Sequence, residues 1–140
     1  FVSRMDNLQA AILNFKLKNL NKIIKTRRNN ATIYNQLLNN KYIELPQNDN
    51  KYFDTYHTYV IKVDKRDKLK KYLEKNGIST SIHYPTPIHL QPAAKKFGLK
   101  KGDFPNTDRQ SKRILTLPIN QYLTKKEINY ISKKINNFYE

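Results

Sequence analysis

Three histidines, His57, His83 and His89, are the side chains of this sequence best suited to acid–base or ligand chemistry. Two of them, His83 and His89, lie in a segment stiffened by Pro85, Pro87 and Pro92. Proline fixes φ, so groups presented there lose little conformational entropy on binding. Tyr84 and Gln91 stand in the same segment and add hydrogen-bonding groups. The separation of His83 and His89 is not a recognised metal-ligand spacing, and no carboxylate stands near them in the chain. No metal site is therefore expected. His57 falls in a stretch of strand character and reads as a structural residue. The absence of cysteine excludes disulfides, thiolate nucleophiles and Cys-bound metals. With only Gly77, Gly98 and Gly102, there is no Gly-rich phosphate loop. No serine occupies a nucleophile elbow, and the carboxylates are scattered as caps and surface partners. The inventory describes one wall of a binding site rather than a complete catalytic set.

The elements that must hold this wall follow from periodicity. Residues 5–38 read as one long helix without Gly or Pro, with apolar residues at Met5, Leu8, Ile12 and Phe15. A second series runs through Leu17, Leu20, Ile24, Ala31, Tyr34 and Leu38. Both step by three, four or seven, and the stripe shifts between them, so the two halves face different neighbours. At 1.5 Å per residue such a helix is roughly 50 Å long and serves two bodies at once. Residues 39–51 are polar and read as a connector. Strands are expected at 56–63, 78–84 and 114–117, the last stopped by Pro118. Asp64 is a candidate N-cap for a helix to Asn76 that buries Leu69, Tyr72 and Leu73 and stops at Gly77. Short helices are expected at 93–97, ended by Gly98, and at 107–113. The last helix opens on a capping box, Thr124 with Glu127, and buries Ile128, Ile131, Ile135 and Phe138. The fold class is α+β: a small, mostly antiparallel three-stranded sheet with helices on one face, preceded by a long interdomain helix. Residues 1–40 form that helix and residues 41–140 the small domain.

The formal net charge of +16 suggests a polyanionic partner when taken alone. The charges run along the whole chain and are mostly lysine, which favours a solvated basic surface. A basic module for nucleic acid or acidic polymer is the alternative function. No stretch approaches the roughly 20 apolar residues needed to span a bilayer, so no membrane association is expected and a cytoplasmic location fits. Phe1 in place of a start methionine leads to the expectation that the chain begins within something longer.

Two stretches carry a resemblance. Ser3-Arg4-Met5-Asp6-Asn7-Leu8-Gln9-Ala10-Ala11-Ile12-Leu13 opens the long helix, and Asn76-Gly77-Ile78-Ser79-Thr80 leads into His83-Tyr84-Pro85-Thr86-Pro87-Ile88-His89-Leu90-Gln91-Pro92-Ala93. Phe104-Pro105, Leu115-Thr116-Leu117-Pro118 and Leu123-Thr124 follow in order. The pattern resembles the DegT/DnrJ/StrS sugar aminotransferases across essentially the whole chain. The resemblance implies a pyridoxal 5'-phosphate enzyme that transfers an amino group from glutamate to a nucleotide-linked keto-sugar for surface polysaccharide or glycan biosynthesis. It implies a homodimer whose cofactor-binding large domain, with its Schiff-base lysine, lies N-terminal to this stretch. The chain alone is then expected to be inactive, with no catalytic residue of its own. The resemblance also implies that the start of the long helix approaches a cofactor phosphate. Val2 stands where that motif commonly has Asn, leaving Arg4 as the cofactor-binding candidate. His83 and Tyr84 are implied to contact sugar or diphosphate, and His89 and Gln91 to border the nucleotide.

Overall fold

The computed structural model describes residues 4–38, 41–47 and 51–140. Phe1, Val2 and Ser3, and parts of the expected 39–51 connector, lie outside the described residues. The helices are α1 (Asn7–Leu17), α2 (Leu20–Leu37), α3 (Arg66–Lys75), α4 (Pro105–Ser111) and α5 (Lys125–Tyr139). The strands are β1 (Ile43–Glu44), β2 (Tyr59–Val63) and β3 (Ile114–Leu117), in an antiparallel sheet of order β1-β2-β3. Two 3₁₀ turns, Ile88–Leu90 and Pro92–Phe97, punctuate the stretch between α3 and α4.

Alternation along β2 sends Tyr59, Ile61 and Val63 to the core, while Val60 and Lys62 remain partly exposed. Leu115 and Leu117 of β3 join them, and α2, α3 and α5 cover that face with Ala31, Tyr34, Leu69, Leu73, Ile128, Ile131 and Ile135. The stripe of α5 is as expected, with Phe138 half-buried at its end. The Thr124–Glu127 capping box is present, with both reciprocal hydrogen bonds made. Gly77 and Gly98 stop their segments at φ +74° and +68°, the left-handed geometry that a Cβ disfavours.

Five expectations are corrected. The long helix is broken at Lys18 and Asn19, where the apolar stripe shifts, and Asn19 N–H turns back to the Lys16 carbonyl at 3.0 Å. Residues 78–84 are not a strand. They meet β3 only through a bridge between Ser81 and Thr116, because Pro85 and Pro87 end pairing almost at once. The third strand is instead β1, inside the supposed connector. Its Glu44 lies opposite Lys62 and forms a 2.5 Å ion pair with it. Asp64 does not cap α3: Lys65 holds the cap position at φ +53°, without a side-chain bond. The Asp64 carboxylate instead faces Arg113 Nε at 3.3 Å. Helix α4 also starts two residues early, with Pro105 at its first turn.

Candidate functional site

The 83–91 loop leaves the sheet at the Ser81–Thr116 bridge, where each residue donates its N–H to the other's carbonyl, at 2.8 and 3.2 Å. Thr116 is a buried residue of β3. Its Oγ1 lies 2.9 Å from His83 Nδ1, so the same residue holds the loop by backbone and by side chain. This leaves Nε2 as the remaining polar atom of His83. The next peptide, His83–Tyr84, is cis. The Tyr84 ring stands edge-on to His83, with centroids 5.6 Å apart, and is 70% exposed. Its phenol has no hydrogen-bond partner among the described residues. Pro87 turns inward, Ile88–Leu90 makes one 3₁₀ turn, and Gln91 Nε2 donates to the Thr86 carbonyl at 3.3 Å, closing the loop on itself.

His89 is placed differently from His83. It is only 7% exposed and packs on Phe104, with ring centroids 4.8 Å apart. Its Nε2 lies 3.2 Å from Asp108 Oδ1. The sequence expectation that no carboxylate lies near these histidines is thereby corrected: Asp108, 19 positions downstream, reaches His89 because α4 folds back beneath the loop. His57 is exposed and lies in a bend before β2 rather than within the strand. Its carbonyl and that of Tyr56 accept from Arg27 Nη1 at 3.0 and 3.2 Å. Arg4 is exposed, ahead of α1, and has no hydrogen bond or ion pair to the loop or to any other described residue.

The fold therefore brings His83 and Tyr84 together on one outward face and turns His89 inward, while Arg4 stands apart. Thr116 and Asp108, which contact His83 and His89, carried no signal of those contacts in the sequence. Among the described residues no group of three or more His, Asp or Glu is arranged to hold a metal ion. A separate open depression of about 650 Å³ is lined by Lys101, Gly102, Pro105, Asp108, Arg109, Lys112 and Arg113, with no residue of the 83–91 loop among them. The Tyr84 phenol and the His83 imidazole can hydrogen-bond a polar molecule, but they contain no nucleophile with a base beside it.

A family model described as the DegT/DnrJ/EryC1/StrS aminotransferase family matches residues 1–136. The chain belongs to this family. Among its relatives, the pleiotropic regulatory protein of Geobacillus stearothermophilus is 36% identical over 140 residues, covering 98% of this chain and 38% of the relative. The dTDP-3-amino-3,6-dideoxy-alpha-D-galactopyranose transaminase of Aneurinibacillus thermoaerophilus is 32% identical, covering 97% of this chain and 37% of that enzyme. The crystal structure of S. venezuelae DesV in complex with a ketimine intermediate superposes with a TM-score of 0.94 at 28% identity, over 98% of this chain and 37% of DesV. A DegT/DnrJ/EryC1/StrS aminotransferase from Brucella abortus gives 0.89 at 32% identity, over 96% of this chain and 36% of that protein. The chain spans little more than a third of the length of these aminotransferase-family relatives.

Proposed function

We propose that this chain is the small, substrate-facing domain of a nucleotide-sugar aminotransferase, which moves an amino group from glutamate onto a nucleotide-linked keto-sugar. The observation that carries the reading is Tyr84: an exposed phenol without a partner, on a loop anchored at its base by Thr116, in a chain of this family. His83 and Tyr84 contact the sugar or diphosphate, Gln91 borders the nucleotide, and the buried His89 supports the loop from within. Arg4, exposed and unpaired at the start of α1, contacts the cofactor phosphate in a neighbouring subunit of a homodimer. Supporting the dimer, α1 buries none of its residues within this chain. The pathway is surface polysaccharide or glycan synthesis, and the location is the cytoplasm. No helix among the described residues is long and apolar enough to cross a membrane, and a cysteine-free sequence needs no oxidising compartment.

Pyridoxal 5'-phosphate is the cofactor of the proposed parent enzyme, and the residues of this chain do not by themselves fit it. Among the described residues no lysine is buried, and Lys62, one of the few half-buried ones, is paired with Glu44. A Schiff-base lysine needs an enclosed site where its amine is desolvated. The domain's share of the work is to bind and orient the nucleotide-sugar and to narrow the access of water.

Two measurements test this. The 140-residue chain, supplied with pyridoxal phosphate, glutamate and a keto-sugar nucleotide, should give no turnover above that of the same mixture without protein. In the full-length aminotransferase, His83→Ala and Tyr84→Phe should raise KM for the nucleotide-sugar by roughly three- to tenfold, the loss of one hydrogen bond. The glutamate half-reaction should keep its rate. Wild-type KM values in both variants would sink the assignment of this loop.

A further inference from the structure

The 83–91 loop and the segment that follows it lie outside the main core. Between residues 83 and 104 the buried positions are Pro87, His89 and Ala94, and none belongs to the central cluster. Leu90 is half-buried, and Tyr84, Ile88, Phe97, Leu99 and Phe104 are exposed. Apolar packing therefore does little to fix this stretch, and polar contacts must. His89 is the one buried side chain in it that carries ring nitrogens. The side chains of His89 and Asp108 are 6% and 13% exposed, and their atoms Nε2 and Oδ1 face each other at 3.2 Å, an approach short of hydrogen-bond alignment, while neither has a hydrogen-bond partner among the described residues. Two buried polar atoms that face only each other are costly to separate. The second oxygen of Asp108 accepts the Gly102 N–H at 2.7 Å, and the Asp108 carbonyl accepts from Ser111 Oγ at 3.0 Å. One carboxylate thus ties together the loop, the turn at Gly102 and helix α4.

We infer that Asp108 is a positioning residue for the nucleotide-sugar: through His89 it sets the height and orientation of the loop that presents His83 and Tyr84. The inference rests on the substrate-wall reading above and adds a residue that does not touch substrate. A carboxylate oxygen can only accept a hydrogen bond, so a small rotation of the facing ring favours the form that carries hydrogen on Nε2. An Asn at this position must divide its two ends. With its oxygen on the Gly102 N–H, it turns its NH2 toward His89, which inverts the tautomer the site prefers.

The test combines a spectroscopic and a kinetic readout. Ring ¹⁵N shifts of His89, recorded on the 140-residue chain, should report the Nε2–H form for wild type, and the Nδ1–H form for Asp108→Asn. In the full-length aminotransferase, Asp108→Asn should raise KM for the nucleotide-sugar roughly three- to tenfold. kcat and the glutamate half-reaction should hold, and Asp108→Glu should restore part of the loss. An unchanged tautomer in Asp108→Asn and in Asp108→Ala would overturn the inference. So would a uniform fall of both half-reactions together with the melting temperature, because that marks a residue needed only for folding. Tyr84→Phe separates the two layers. If it and His83→Ala both leave KM unchanged, the wall reading itself fails; if either raises KM while Asp108→Asn does not, only the role of Asp108 fails.

Discussion

Thr116 commits both its backbone and its hydroxyl to the loop. Its N–H and carbonyl pair with Ser81, and its Oγ1 meets His83 Nδ1 at 2.9 Å. Valine has the same shape and strand preference but no hydroxyl. Thr116→Val therefore keeps the bridge and leaves a ring nitrogen of His83 unpartnered. The expected cost is about 1 kcal/mol of stability, read in denaturant melts. In the proposed parent aminotransferase, KM for the nucleotide-sugar should rise by a similar factor to that in His83→Ala. A larger effect on stability with no effect on KM would mean that His83 merely caps the sheet edge. The sequence singled out His83 and Tyr84 as candidates, because prolines around polar side chains mark a stiff loop. It did not reveal Thr116 or Asp108. A threonine in a hydrophobic strand reads as filler, and Asp108 acts across a fold-back that no local pattern records.

At the scale of elements, α2 meets β2 through tyrosines. Tyr34 and Tyr59 stack at 5.0 Å; Tyr34 donates to the Pro118 carbonyl at 3.0 Å, and Tyr59 to Asn35 Oδ1 at 2.6 Å. Burial pushes both phenols well above their ordinary value, and each is raised further by a neighbouring tyrosine. Tyr139 is pushed up to about 12, first by burial and then by Asp64. A phenol whose folded pKa is raised binds its proton more tightly in the folded state. Its contribution is complete below the unfolded value of about 10 and is lost as pH rises above it. Stability should therefore hold to about pH 10 and fall steeply beyond. Tyr34→Phe should flatten that fall while costing about 1 kcal/mol at neutral pH, since the Pro118 carbonyl loses its donor. A pH–stability curve with the same alkaline limb in this variant contradicts the assignment. These helices were legible in the sequence because several turns of periodicity add up, as in α5 with its stripe and cap. Strand β1 was not: two residues on a sheet edge carry no period, and Glu44 is held there by Lys62 and Arg113 across the strands. Residues 78–84 have strand composition, but the prolines after them leave room for one bridge.

At the scale of the whole molecule, the break after α1 divides two surfaces of different fate. The series on α2 closes the core through Ala31, Tyr34 and Leu38. The series on α1 covers nothing: Met5, Leu8, Ile12 and Phe15 are all exposed, Leu8 by 73% and Phe15 by 70%. Helix α1 touches the rest of the chain chiefly at α2. An 11-residue helix is marginal in water by itself, so an apolar stripe of this length is retained for a second body. In the proposed parent enzyme that body is the remainder of the protein and its dimer partner. In the 140-residue chain the stripe has no cover, and exposed apolar faces of this kind associate. Light scattering should show mass rising with concentration. Leu8→Glu with Phe15→Glu should abolish the rise and leave the melting temperature within a degree or so, because surface changes away from the core alter stability by about 0.5 kcal/mol or less. Association that survives both substitutions would place the sticky surface elsewhere, with exposed Ile88 and Phe97 beside the loop next to be substituted. The same double substitution carries the opposite expectation in the proposed parent enzyme: if the stripe is covered there by the remainder of the protein and a second subunit, charge on it lowers both dimer yield and activity.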